Sequence, residues 1–149
     1  MSNRSIFGII FIEGLVLLIK PSKGKTFQLP GGPIISSETP IEALRFHLLQ
    51  QANIRSTPEQ WFKIGDGIIE GNEYLYYWGN LGRKDIIGWA QSRNWSPQRM
   101  TLSAVMQRKD VPPILRLLIS QVVNPDFEPS IRIIQRPSID GPTGAIVLT

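Results

Sequence analysis

Residues 27–54 read FQLPGGPIISSETPIEALRFHLLQQANI, and the second half of this stretch carries a complete helix start. Thr39 is placed to cap, Pro40 suits the first helical position, and Glu42, three residues after the threonine, completes a capping box. The predicted helix runs to about Ala52, with Ile41, Leu44, Leu48 and Ala52 recurring at three- and four-residue spacing as a stripe for burial. His47, Gln50 and Gln51 fall together on another face, because positions three and four apart are neighbours on a helix. Upstream, Thr26-Phe27-Gln28-Leu29 reads as a short strand entering Pro30-Gly31-Gly32, whose two glycines can take backbone angles closed to other residues.

On the N-terminal side, Ile6 to Ile19 is apolar but broken by Glu13-Gly14. It is too short for a bilayer span, which takes about 20 residues, and no small-residue cleavage site follows it. Two strands, IFGIIFI and LVLLIK, joined by a turn at Glu13-Gly14 explain it better. On the C-terminal side, strand-like runs are expected at Trp61 to Ile64, Gly67 to Glu70 and Glu73 to Trp78, punctuated by glycines. Ser96-Pro97 reads as the cap and first turn of a second helix containing Met100, Leu102, Val105 and Met106. A third helix is expected from Asp110, tolerating Pro112 and Pro113 in its first turn and ending before Asn124-Pro125.

Composition bounds the rest. A chain of 149 residues with 42% hydrophobic and 19% charged residues fits one folded unit with a real core. The absence of cysteine excludes disulfides, thiolate metal sites and cysteine nucleophiles, and the single histidine excludes a multi-histidine metal site. Residues 1–125 are expected to form the main domain. Residues 126–149 carry two apolar runs, Ile131 to Ile134 and Ala145 to Leu148, expected to pack on the domain, extend its sheet or dock onto a partner or a second copy of the chain. The protein is expected to be cytoplasmic, with no membrane partner.

With LPGG, Glu38-Thr39-Pro40, Ala43, Leu48 and Ile54 in place, the opening stretch resembles the Nudix box, Gx5Ex7REUxEExGU with U an aliphatic residue. Setting the first glycine at Gly32 places the first glutamate on Glu38 and runs the second half from Phe46 to Ile54. The resemblance covers roughly residues 5–124 and implies an α+β fold, a Nudix-like α/β/α sandwich around a mixed sheet. Members of that family hydrolyse nucleoside diphosphates linked to another moiety, usually with magnesium held by the box glutamates. Here the box arginine falls on Phe46, and the three metal-binding glutamates fall on His47, Gln50 and Gln51. Magnesium is a hard ion that takes oxygen ligands in octahedral geometry and neutralises the diphosphate, so a histidine and two neutral amides are poor replacements. No cofactor is expected, and magnesium binding is expected to be weak or absent.

The individual residues keep bland alternatives. Glu38 reads as a loop residue supporting the helix start, and as a cation contact otherwise. Gln50 and Gln51 read as a solvated face or a ligand contact, and His47 as a partly buried hydrogen-bonding residue. Glu70, Glu73, Asp85 and Asp110 are the acids outside the box that could serve catalysis, or else surface groups and caps. Between residues 83 and 109 six basic residues stand against Asp85 alone, in a chain of net charge +4. Arg83, Lys84, Arg93 and Arg99, with Trp89 and Trp95 interleaved, are candidates for a cationic surface binding nucleotide or RNA; a solvated basic face is the alternative. Tyr74, Tyr76 and Trp78 alternate on one strand face, as core or as a base-stacking platform. The favoured function is a catalytically silent Nudix-like domain serving as a nucleotide- or RNA-binding or protein-assembly module. The alternatives are an unconventional hydrolase of a nucleoside diphosphate derivative and a purely structural interaction subunit.

Overall fold

The computed structural model describes residues 3–87, 94–123, 131–138 and 141–148. Strand β1 (Arg4–Ile12) turns at Glu13-Gly14 into β2 (Leu15–Pro21), and both turn residues have positive φ. This is the type I′ geometry that matches the twist of a two-residue hairpin. A short β3 (Gly31–Pro33) precedes helix α1 (Pro40–Ala52). A second hairpin, β4 (Trp61–Ile69) and β5 (Asn72–Leu81), turns on Glu70-Gly71 with the same pair of positive φ angles. Then come β6 (Trp95–Met100), α2 (Leu102–Gln107), α3 (Pro113–Val122), β7 (Ile131–Ser138) and β8 (Gly141–Leu148).

These strands form one mixed sheet in the order β6-β2-β1-β5-β4-β7-β8, with β3 beside β1. One edge of β1 is taken along its whole length by β5, running parallel. The other edge is shared: Ile10–Ile12 pair with β2, and Ser5–Phe7 pair with β3. The sheet therefore splits beside β1, which lets β3 lead straight into the loop before α1.

Alternation along β1 builds two cores. Ile6, Ile10 and Ile12 join Leu17, Leu44, Leu48, Ala52, Trp61 and Leu75 under α1. Ile9 joins Val16, Leu18, Phe27, Tyr76, Val105, Leu118 and Ile119 under α2 and α3. Burying each such aliphatic side chain contributes about 1.5–3 kcal/mol, and with helices on both faces of the sheet the molecule is a three-layer sandwich. No helix among the described residues is long and apolar enough to cross a membrane.

Four expectations are corrected. Thr26–Leu29 is not a strand but touches the sheet through one isolated bridge, Gln28 opposite Ile19. Trp95–Met100 is a strand, not the start of a helix, and α2 begins after Thr101, whose side chain accepts from Ala104 N at 3.1 Å. Pro97 is tolerated because it sits opposite Ile19, whose own N–H and C=O are turned away to Gln28. Its missing N–H therefore faces outward from an edge strand. The two runs Trp61–Ile64 and Gly67–Glu70 are one strand, continuous through a bulge at Ile64. The third helix starts at Pro113, not Asp110.

Candidate functional site

Helix α1 begins as its sequence dictates: Thr39 Oγ1 accepts from Glu42 N at 3.2 Å, and Glu42 Oε2 accepts from Thr39 N at 3.1 Å. It ends on Asn53, whose φ of 54° is left-handed. The box pattern has glycine at this position, and asparagine is among the few other residues that take it readily.

The face of α1 that carries His47 and Gln51 packs on the backbone of β3. Gln51 is 5% exposed, its Oε1 accepting from Gly31 N at 2.9 Å and its Nε2 donating to Gly31 O at 2.8 Å. One turn earlier His47 donates from Nε2 to Pro33 O at 2.7 Å, because a carbonyl can only accept. The glycines fit this clamp closely. A Cβ on Gly32 would stand 2.9 Å from His47 Cε1, and one on Gly31, at φ +144°, would collide with Ile6 O. Gln51 is thus not on a solvated face. Gln50 is, being turned outward and exposed. His47 is half-buried and hydrogen-bonded, as expected.

Other box residues are equally occupied. Glu38 Oε1 accepts from Ile35 N at 3.3 Å, closing the loop before the helix. Phe46 lies 53% exposed, edge-on to His47 with ring centroids 5.7 Å apart. Among the described residues no group of three or more His, Asp or Glu side chains gathers to hold a metal ion. The donor set at 47, 50 and 51 does not fit magnesium, since it offers no anionic oxygen and its one buried amide is satisfied at both ends.

The acids outside the box also have local partners. Asp85 is buried and accepts from Gly82 N at 2.8 Å and Gln60 Nε2 at 3.2 Å. Glu73 pairs with Arg4 at 3.3 Å. Asp110 takes a two-point contact from Arg108, both bonds 2.8 Å, with Lys20 at 3.8 Å, and these hydrogen bonds hold its carboxyl well below the usual range, at about 2. Glu70 occupies the second hairpin turn.

The basic stretch is spread around the molecule. Arg83 and Lys84 lie in a 3₁₀ turn after β5, Arg83 reaching Glu13 at 3.8 Å. Arg99, opposite Leu17, is on the α1 face of the sheet, as cross-strand partners share a face. Arg108 lies over Phe27 on the opposite face, 5.1 Å from the ring centroid. Trp95 pairs across from Pro21 in β6. Trp89 and Arg93 lie outside the described residues.

A cavity on the face of Tyr74 and Tyr76 completes the picture. It holds about 290 Å3 between the sheet and α3, with Phe7, Tyr74 and Tyr76 on the sheet side and Ile114, Leu115 and Leu118 on the helix side. Phe7 stacks on Tyr74 and Tyr76 at 6.3 and 6.0 Å. Burial pushes the Tyr76 phenol up to about 12. Gln28 is the amide among the lining residues. Trp78, third in the alternating row, packs instead on Phe62 at 5.7 Å. The alternation of aromatics signalled such a surface; the opposing residues of α3 carried no sign of it.

Neither a protein-family model nor a curated protein matches the sequence. Solved structures do match in shape. MutT protein from Bacillus halodurans superimposes with a TM-score of 0.73 over 97% of this chain and 97% of its own, at 14% identity. The chain has the Nudix fold. MutT protein from Methanosarcina mazei matches at a TM-score of 0.63, 15% identity, 80% of this chain and 91% of its own. An ADP-ribose pyrophosphatase from Streptococcus suis matches at 0.62, 13% identity, 89% and 98%. In this chain the split of the sheet at β1 and the loop from β3 into α1 set His47 and Gln51 against β3, where the amide clamp lies.

Proposed function

We propose that this chain is a Nudix-fold domain that does not hydrolyse nucleoside diphosphate derivatives with magnesium, and that it serves as a binding module for a ligand carrying a nucleobase. One observation carries the first half. Gln51 and His47, at box glutamate positions, spend their polar atoms on the backbone of Gly31 and Pro33. A metal ion there would have to displace hydrogen bonds that hold α1 to the sheet, and would gain no carboxylate in exchange. The second half is supported by the cavity between β1, β5 and α3, an apolar cleft with a few convergent polar groups near the usual size of a small-molecule site. Bases stack on aromatic side chains with about 1–3 kcal/mol each.

The test is a hydrolysis assay over a panel of nucleoside diphosphate derivatives with magnesium, run beside equilibrium binding of the same panel. Turnover at background with measurable binding is the expected pair of results. Magnesium-dependent turnover abolished by Glu38→Gln would overturn the reading.

A further inference from the structure

We propose that the outer face of α1 is a docking site for a partner protein, which inserts an apolar side chain flanked by acidic residues. Glu42, Arg45, Phe46 and Leu49 stand at three- and four-residue spacing and so share one face of the helix. It is not the face clamped on β3 through His47 and Gln51. The chain returns beside it after Asn53, and a cavity of about 290 Å3 lies between helix and returning chain. Its apolar lining is Phe46, Leu49 and Ile54. Phe46 is 53% and Leu49 38% exposed, so a helix face that should be polar presents carbon to water. Ile87, also 53% exposed, extends this surface past the helix end, because Ile87 N donates to Asn53 O and Asn53 N to Leu49 O.

The charges beside the cavity select the partner's chemistry. Two of the charged residues lining it are already engaged: Arg45 Nε donates to Ser56 O at 2.7 Å, and Glu42 Oε2 accepts from Thr39 N at 3.1 Å. Arg55, the third, is exposed and forms no ion pair among the described residues. Its N–H donates to Asp85 O at 2.7 Å, which brings the turn carrying Lys84 alongside. Lys84 is exposed too, and equally without an ion pair among those residues. Two uncommitted cations beside an apolar hollow suit carboxylates next to an aliphatic or aromatic side chain. The carboxylates gain charged hydrogen-bond donors while the apolar group leaves water. Membrane surfaces are held by clusters of about four to eight cations, and single-stranded nucleic acid by a basic groove that tracks its backbone; neither matches this pair. From Glu42 to Leu49 the face is about 10 Å long, the reach of about three residues of extended chain, so a short acidic and apolar segment covers it.

The experiment is fluorescence anisotropy of the intact chain with labelled octapeptides of leucine and glutamate in differing order, beside matched peptides of leucine with glutamine and of serine with glutamate. At least one peptide of leucine and glutamate should bind, and its two counterparts should be weaker by about tenfold or more. Arg55→Glu and Leu49→Ser should each weaken it by about tenfold. Both side chains are exposed, so the melting temperature of each variant should hold. The backbone amides of Phe46, Leu49 and Arg55 should shift in nuclear magnetic resonance spectra as the peptide is added. Failure of every leucine and glutamate peptide to bind at about 1 mM would overturn the proposal, as would binding indifferent to both substitutions. Peptides of serine and glutamate that bind equally well would reduce the face to a general cationic surface and overturn it too. Vesicles of phosphatidylserine that bind the parent but not Arg55→Glu would assign the face to a membrane, and a dimer that Leu49→Ser splits would assign it to a second copy; either result overturns the proposal. None of these outcomes bears on the nucleotide panel, whose cleft lies across the sheet beside α3.

Discussion

Gln51 shows how one side chain decides what the box helix does. Its amide matches a peptide group, a donor and an acceptor facing the N–H and C=O of Gly31 at 2.9 and 2.8 Å. Gln51→Ala strands two buried backbone groups, each costing about 1–3 kcal/mol, and should lower the urea midpoint accordingly. Gln51→Glu is the more telling change, because it restores the residue the box pattern prescribes. A carboxylate can still accept from Gly31 N, but its second oxygen faces Gly31 O, acceptor against acceptor, in a buried place. We expect Gln51→Glu to be at least as destabilising as Gln51→Ala near neutral pH, with part of the loss recovered in acid as the carboxyl protonates. A protein stabilised by this change, or by magnesium added to it, would show that the clamp is dispensable. The sequence located this face but not its use, because an amide bonding a backbone twenty residues away leaves no local pattern.

At the scale of elements, legibility followed local chemistry. The Glu13-Gly14 hairpin, the capping box and the end of α1 near Ala52 are written in neighbouring residues and were readable. Strand β6 was not, since Ser96-Pro97 imitates a helix start, and only pairing with β2 reveals that Pro97 faces outward. Thr101 is the true cap, so Thr101→Ala should cost about 0.5–2 kcal/mol by thermal or chemical melting, whereas Ser96→Ala should cost much less. The junction between α2 and α3 is fixed by Asp110, joined to Arg108 and to Lys20 of β2 around the buried Phe27 ring. Its folded pKa, about 2, lies below the ordinary carboxylate value near 3.9. The contribution is present above that ordinary value and is lost as pH falls from about 4 to about 2. Stability measured through that window should fall less steeply in Asp110→Asn than in the parent. Equal slopes would mean that other carboxyls govern acid unfolding.

At the scale of the whole molecule, the sheet seats β3 beside the first half of β1 and extends at its far side through β7 and β8. Residues 65–68 of β4 pair in parallel with residues 131–134 of β7, and β8 closes the sheet as an antiparallel edge. Parallel pairing of segments more than sixty residues apart requires a long connection and carries no turn signal, so the sequence offered the tail several destinations and this is one of them. Deleting residues 126–149 would return β4 to the edge, with the unpaired backbone of Gly65 to Ile68 exposed beside Ile68, already 67% exposed. Exposed edges recruit other strands. The truncated chain should therefore melt at a lower temperature and self-associate on sizing, and its Gly65–Ile68 amides should exchange with deuterium faster than in the full chain. If truncation leaves melting temperature and size unchanged, and the amides of 131–148 in the full chain exchange like those of an unfolded peptide, then the sheet ends at β4 in solution. The tail would then have to find its partner elsewhere.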